Sequence, residues 1–192
     1  MDSPAETGRQ AGHCLFGTAI GICGMAWGPA GITAVQLPEP SPEATRTRLL
    51  RSLSQAVPEH EPPPDIRAAI ADLRAALAGQ RPADLRHLVL DMSRLSAFHQ
   101  RVYERTRAIA PGTTLSYGEL AGQLGGRGLA RAVGQAMGAN PFAPVVPCHR
   151  VLAAGGRSGG FSATGGARTK LRLLEIEGYR PGGAPSLFDA AG

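Results

Sequence analysis

Asn140-Pro-Phe-Ala-Pro-Val-Val-Pro-Cys-His-Arg-Val151 is the stretch around which the rest of the chain is organised. Its three prolines make a stiff approach, because proline fixes its own φ and pushes the preceding residue into an extended conformation. The approach leads to a thiol and an imidazole side by side. A cysteine reacts as its thiolate, which a neighbouring imidazolium or guanidinium favours. Cys148 is therefore a candidate nucleophile, although a lone cysteine is also a common core residue.

The adjacency of Cys148 and His149 does not by itself make a catalytic pair. Neighbouring side chains point to opposite faces of a strand, and they also diverge in a helix. Proton transfer between the two is therefore expected to need a bridging water.

Two short helices are predicted upstream of the thiol. Ser116-Tyr-Gly-Glu119 is a capping box, in which a serine at the N-cap and a glutamate at the third helical position satisfy each other's backbone N–H groups. Gly125-Gly126 then turns the chain, and a second helix is predicted over residues 128–139. This layout is typical of a helix-turn-helix.

The second helix carries one long cationic side chain on its predicted outward face. Arg131 is surrounded there by small residues, namely Ala130, Gly134 and Gly138. One cation among small neighbours fits insertion into a narrow minor groove better than readout of base edges by several polar side chains. The alternative is a tightly packed helix pair with Arg131 in solvent.

A last helix is predicted over residues 167–177, after a glycine-rich loop at residues 158–166 that can bring backbone close to a ligand. Glu177 lies three and four positions after Leu174 and Leu173, on their apolar face. An acid at a helix C-terminus opposes the helix dipole. Glu177 is therefore a candidate partner for His149, and the alternative is an ordinary exposed glutamate.

The first half of the chain predicts a small α/β domain without evident chemistry. A hairpin is expected within residues 13–37, Ser41 and Asp65 are expected to cap two helices, and residues 85–90 are a further candidate strand. The predicted organisation is a disordered tail (1–12), an α/β domain with a small antiparallel sheet and helices (13–95), a mainly α, winged-helix-like domain with the helix-turn-helix (96–180), and a loose tail (181–192).

The charge of +5 is unevenly distributed along the 192 residues. Residues 98–178 hold ten basic residues against four carboxylates, a net charge of +6, whereas residues 1–97 hold nine basic against ten acidic residues. A basic half is expected of a protein that binds a phosphate backbone, although it can also be a solvated surface. Three cysteines, the lack of a signal peptide and the lack of an apolar run of membrane length predict reduced thiols and a cytoplasmic protein.

Pro-Cys-His-Arg-Val at residues 147–151 resembles the active-site signature of the O6-alkylguanine-DNA alkyltransferases, also called methylated-DNA-protein-cysteine methyltransferases. The resemblance runs from about residue 98 to residue 178 and is weak before it. It includes four further segments: Ser116-Tyr117, Ala130-Arg-Ala-Val-Gly134, Asn140-Pro141 and Glu177-Gly178.

The resemblance implies direct, single-turnover transfer of an alkyl group from O6-alkylguanine in double-stranded DNA to Cys148, with O4-alkylthymine as a second candidate substrate. It implies a flipped base, no cofactor, no metal, no membrane and a monomer. The implied catalytic residues are Cys148, His149 and Glu177, and the implied minor-groove contacts are Tyr117, Ala130, Arg131 and Gly134. The implied substrate pocket comprises Tyr117, Met137, Asn140, Phe161 and Ser162, with Phe161 where many relatives have tyrosine.

Two other function classes stay open from the residues. A helix-turn-helix module could bind or sense DNA lesions without chemistry, but the alkyltransferase-like proteins of this kind carry tryptophan at the cysteine position. A cysteine hydrolase could use Cys148, His149 and Glu177, and it would need a site for a substrate carbonyl.

Overall fold

The computed structural model describes residues 10–80, 84–156 and 162–180. Its first half contains an antiparallel sheet in the order β1-β2-β3, formed by β1 (Gly12–Thr18), β2 (Gly21–Gly28) and β3 (Gly31–Gln36). Gly31 has a φ of +136°, and a Cβ there would lie 2.7 Å from the Val89 carbonyl oxygen. The glycine thus permits both the turn and a close approach of the later chain to the sheet.

Two helices pack against this sheet, α1 (Pro42–Arg51) and α2 (Pro64–Leu77). The predicted cap of α1 is confirmed, since Ser41 Oγ accepts a hydrogen bond from the Ala44 N–H at 3.1 Å. The prediction for Asp65 is wrong, because α2 already begins at Pro64 and Pro63 occupies its N-cap without a side-chain hydrogen bond. Proline has the φ of a first helical residue and lacks an N–H, so a side-chain acceptor is less needed there.

The segment at residues 85–90 is not a regular strand. Leu90 makes an isolated parallel bridge with Ile32, flanked by the bonds Ile32 N–H to Val89 O (2.9 Å) and Asp91 N–H to Ile32 O (2.8 Å). The preceding residues curl around one guanidinium: Arg107 Nη2 donates to the carbonyl oxygens of Leu85, Arg86 and Leu88. A side chain therefore satisfies the carbonyls that a strand would have paired.

The second half is mainly helical, as predicted, and adds a short parallel pair of strands that was not anticipated. Its elements are α3 (Ala97–Arg107), β4 (Leu115–Ser116), α4 (Tyr117–Gln123), α5 (Ala130–Gly138), β5 (Val151–Leu152) and α6 (Ala167–Ile176), with 3-10 turns at Arg127–Leu129, Cys148–Arg150 and Ala154–Gly156. Ser96 caps α3, and the predicted capping box of Ser116 and Glu119 is confirmed at the start of α4.

The two halves share packed interior. One core cluster joins the sheet and α2, and it includes Val145 and Leu173 from the second half. A second cluster, among α3, α4 and α5, contains Cys148. The Val35 N–H of β3 donates to the Pro141 carbonyl at 2.8 Å, so the sheet edge holds the approach to the thiol directly. None of the helices in the described ranges is long and apolar enough to cross a membrane.

Candidate active site

Cys148 is held at the end of a loop that is closed on itself by Asn140. The Asn140 amide donates to the Val146 carbonyl at 2.8 Å and its oxygen accepts from the Phe142 N–H at 2.9 Å. The Cys148 N–H then donates to the same Val146 carbonyl at 2.8 Å, and the 3-10 turn begins. The stiff approach predicted from the prolines is therefore also a hydrogen-bonded one.

The thiol is kept in its protonated form at rest. Cys148 is 4% exposed. Burial raises the pKa of the Cys148 thiol, and this effect outweighs a hydrogen bond with Asn140, the charge of Lys170 and nearby backbone N–H groups, all of which favour the thiolate. A thiolate must consequently be generated by a base when substrate is present.

His149 is placed to be that base. Its Nε2 lies 2.8 Å from Glu177 Oε1, so the predicted partnership is confirmed in the geometry. Burial lowers the pKa of His149 and outweighs Glu177, which raises it. The lowered pKa favours a neutral ring. A carboxylate can only accept, so Nε2 carries the proton and Nδ1 carries the lone pair. That Nδ1 is buried and has no hydrogen-bond partner within the described ranges.

Arg150 fixes the carboxylate that orients His149. Its Nε donates to Glu177 Oε2 at 2.9 Å and its Nη2 to Oε1 at 2.7 Å, a bidentate pair, while Nη1 donates to the Ile109 carbonyl at 2.5 Å. The Gly112 N–H adds a longer contact to Oε2 at 3.4 Å. Burial alone would raise the pKa of Glu177, but the hydrogen bonds from His149 and Arg150 lower it to about 2. Glu177 is thus a fixed anion.

Lys170 is a site residue that the sequence reasoning missed. It is fully buried, its Nζ donates to the Val151 carbonyl at 2.6 Å, and the ammonium lies 5.8 Å from the centre of the Tyr117 ring. Burial lowers the pKa of Lys170 to about 8, against the opposing effect of Cys148. A cation beside the thiol can stabilise its anion.

The residues expected to contact DNA lie around α4 and α5. Arg131 is exposed, whereas Ala130, Gly134 and Tyr117 are partly buried. A Cβ at Gly134 would be 4.0 Å from the Tyr117 ring, so the small residue leaves room for the aromatic side chain. Arg131 therefore lies on α5 about one helical turn before Gly134, the residue that faces the Tyr117 ring.

The predicted pocket residues divide into four groups. Tyr117 and Asn140 lie at the site. Met137 is buried in the second core cluster, where its sulfur accepts a 3.9 Å hydrogen bond from Thr106, and supports the site from beneath. Ser162 is exposed on the chain entering α6, and Phe161 lies outside the described residues.

Comparison with known proteins places residues 97–179 in the family model for the DNA-binding domain of 6-O-methylguanine DNA methyltransferase. The methylated-DNA-protein-cysteine methyltransferase of Mycobacterium tuberculosis is 49% identical over 92 residues, 48% of this chain and 54% of the relative. The match thus spans about half the length of that relative. The protein of the same name from Methanothermobacter thermautotrophicus is 34% identical over 155 residues, 81% of this chain and 78% of the relative.

Solved structures extend the similarity to both halves. The M. tuberculosis OGT in complex with DNA matches with a TM-score of 0.68 and 34% identity, covering 86% of this chain and 91% of that one. The O6-methylguanine-DNA methyltransferase of Pyrococcus kodakaraensis matches with a TM-score of 0.66 and 25% identity, covering 88% and 99%. The α/β arrangement before residue 96 is therefore part of the similarity, although the sequence signal there is weak.

Proposed function

The chain belongs to the methylated-DNA-protein-cysteine methyltransferase family, and from that premise we propose that it repairs DNA by taking the alkyl group of O6-alkylguanine onto Cys148. The observation that carries the proposal is the hydrogen bond of 2.8 Å between His149 Nε2 and Glu177 Oε1 beside a buried thiol. It leaves Nδ1 as the basic atom at the site. We assign DNA binding and alkyl transfer to residues 96–180 of a monomeric, cytoplasmic protein, and the supporting α/β domain to residues 13–95.

The proposed reaction is a displacement at the alkyl carbon. The Cys148 thiol gives its proton, through a water, to His149 Nδ1, while Nε2 keeps its hydrogen bond to Glu177. The sulfur electron pair forms the new S–C bond as the C–O6 bond breaks, and the oxygen keeps that bond's electrons. The guanine anion then recovers one proton, so the products are neutral guanine and a thioether. Lys170 is proposed to stabilise the sulfur anion, and Tyr117 is proposed to donate a hydrogen bond to the departing base.

The alkylated base must leave the duplex to reach a thiol that is 4% exposed. Unstacking and unpairing a base costs a few kcal/mol, and a side chain that fills the gap offsets part of this. Arg131 is exposed on the small-residue face of α5 and is proposed to be that side chain. Gly134 and Ala130 allow α5 to approach the minor groove closely. The α4–α5 pair then acts as the helix-turn-helix.

Formation of the thioether is expected to inactivate the protein irreversibly. A thioester would offer a carbonyl to water, but a thioether does not, so each protein molecule should react once.

Intact-mass measurement after incubation with duplex DNA containing O6-methylguanine tests the proposal. The expected result is the addition of one methyl group, in one equivalent, localised to Cys148 by peptide mapping and absent from Cys148→Ser. Unchanged mass with retained binding to the lesion would favour the lesion-binding alternative. Release of product beyond one equivalent would exclude the single-turnover mechanism.

A further inference from the structure

Arg48 and Glu39 of the N-terminal half form hydrogen bonds with the chain that enters α6. This chain segment, residues 162–166, is called the pocket loop because it carries Ser162 of the predicted substrate pocket. Arg48 of α1 donates through Nη2 to the Ser162 carbonyl and through Nη1 to Thr164 Oγ1 at 3.2 Å. The Thr164 hydroxyl in turn donates to Glu39 Oε2. These contacts join residues more than a hundred positions apart in the sequence.

Contacts within the N-terminal half hold Glu39 and Arg48 in place independently of the pocket loop. Arg48 Nη1 and Glu39 Oε1 are 2.8 Å apart, and the Glu39 side chain is only 9% exposed. Gln36 at the end of β3 donates to Glu39 Oε1 at 3.2 Å, and the Glu39 N–H donates to Thr45 Oγ1 at 3.0 Å. Because β3 and α1 both hold the carboxylate, Glu39 presents a rigid acceptor rather than a mobile surface charge.

Ala163 of the pocket loop packs partly buried against the first core cluster, and the rest of the loop makes few contacts of its own. Ser162 and Thr164 are exposed, and Gly165 and Gly166 have positive φ angles of 85° and 50°. Within the loop, the Gly166 N–H donates to the Ala163 carbonyl at 2.9 Å, and from α6 the Thr169 hydroxyl donates to the Thr164 carbonyl at 2.6 Å. Glycine-rich chain loses much entropy when it is ordered, so anchoring from outside shifts the loop towards one conformation.

We propose that Glu39 and Arg48 are positioning residues that pre-order the pocket loop for alkyl transfer, and that the N-terminal half thereby contributes to the rate of the reaction. The inference rests on the proposed function for its kinetic consequence, but not for the anchoring itself. A pocket wall that is already in place need not be ordered while the alkyl carbon approaches the sulfur, which favours the transition state.

The chain offers a matched control for Arg48 on the same helix. Arg46 lies two residues earlier, is 43% exposed compared with 42% for Arg48, and forms an ion pair of 3.1 Å with Glu59 inside the N-terminal half. The Arg46–Glu59 pair is exposed on both sides, so its loss should change global stability little. Arg48→Ala leaves the 9% exposed Glu39 carboxylate without its cation and should unfold at a somewhat lower temperature, so Thr164→Val, which keeps the ion pair, separates release of the pocket loop from that loss of stability.

Amide hydrogen exchange without DNA tests the anchoring. The Gly166 and Arg168 N–H groups are hydrogen-bonded within and just after the loop. In Arg48→Ala they should exchange about tenfold faster, the change expected when one charge-assisted hydrogen bond is lost, and in Arg46→Ala they should exchange as in the wild type. Equal exchange in the two variants would overturn the proposal, whatever the protein does to DNA. Thr164→Val, which removes only the hydroxyl, repeats the test from the loop side.

Single-turnover kinetics test the consequence. In Arg48→Ala the rate of methyl transfer should fall about tenfold on duplex DNA and on free O6-alkylguanine base, while the Kd for unmodified duplex stays within about twofold. Arg48→Lys keeps the charge but cannot reach both loop acceptors, so its rate of methyl transfer should lie between those of the wild type and Arg48→Ala. Faster exchange with an unchanged rate would refute the positioning role. A wild-type protein that never becomes methylated would instead refute the proposed function and leave the exchange result standing.

Discussion

Glu177→Gln should disable the base at the active site while leaving the imidazole in place. The carboxylate accepts from His149 on Oε1 and from Arg150 on both oxygens, whereas a glutamine amide has one acceptor and one donor group. If the amide oxygen faces His149, the NH2 group opposes the Arg150 Nε–H. If the amide is turned, its NH2 group faces Nε2 of His149, which must then give up its proton to Nδ1, the atom that is to receive the thiol proton.

The size of the effect follows from these two conflicts. Positioned general bases typically contribute 10²–10⁴ in rate, so we expect methyl transfer to slow by about 100-fold on duplex DNA and on free O6-alkylguanine alike. The Glu177 pKa falls from its ordinary 4.5 to about 2 in the folded protein. A depression of this size corresponds to about 3 kcal/mol of stability, and its loss should lower the Tm by roughly 6–12 °C.

The pH dependence has a defined sign. Because the folded pKa lies below the unfolded one, the contribution of Glu177 is present above pH 4.5 and is lost as the pH falls towards 2. In Glu177→Gln, the free energy of unfolding should therefore fall less steeply than in the wild type as the pH drops through that window.

Rapid-quench single-turnover rates and thermal melts measure both effects, with Glu175→Gln as the control, since Glu175 is exposed on the same helix. Wild-type rates in Glu177→Gln at neutral pH on both substrates would refute the proton path through His149.

Three further substitutions distinguish residues that act on the DNA from residues that act on the alkyl-transfer reaction. Arg131→Ala should slow repair of duplex DNA by roughly tenfold or more, because the wedge offsets part of a flipping cost of a few kcal/mol, and should leave the reaction with free O6-alkylguanine base unchanged; equal losses would assign Arg131 to folding or to the pocket. Wild-type methyl transfer should slow above about pH 8, where the buried Lys170 ammonium deprotonates and stops stabilising the thiolate. The pH–rate profile of Lys170→Met should lack this decline, and identical profiles would exclude that role. Phe161→Tyr should accelerate transfer by no more than roughly tenfold in single-turnover kinetics, the worth of one neutral hydrogen bond to the leaving oxygen; a large loss would mean that the site requires an apolar ring.

The catalytic residues were predictable where the signal is local. Cys148 and His149 stand together in a proline-flanked segment, and Glu177 was found from its place on the apolar face of α6. Lys170 lies on that same face, three and four positions before Leu173 and Leu174, so helical periodicity could also have placed it inward. It was missed because a lysine is rarely buried.

Other features depend on tertiary contacts that no local pattern reports. The bidentate pairing of Arg150 with Glu177 joins positions 27 residues apart. The composition of residues 85–90 is typical of a strand, but Arg107 donates hydrogen bonds to three of the segment's carbonyl oxygens. The contacts of Arg48 and Glu39 with the pocket loop likewise arise only when the two halves of the chain meet.

The charges around Cys148 explain how a thiol that is inert at rest can react. Moving its proton to His149 creates an anion near the Lys170 ammonium and a cation next to the Glu177 carboxylate, and both compensating charges are already fixed in the folded protein. The separation of charge therefore meets a preorganised environment, which lowers its free energy without rearrangement of the protein. Until an alkyl carbon is presented, burial keeps the sulfur protonated and 4% exposed, and oxidants and electrophiles react mainly with exposed thiolates. For a protein that is consumed by one reaction, this combination preserves the nucleophile for the flipped base.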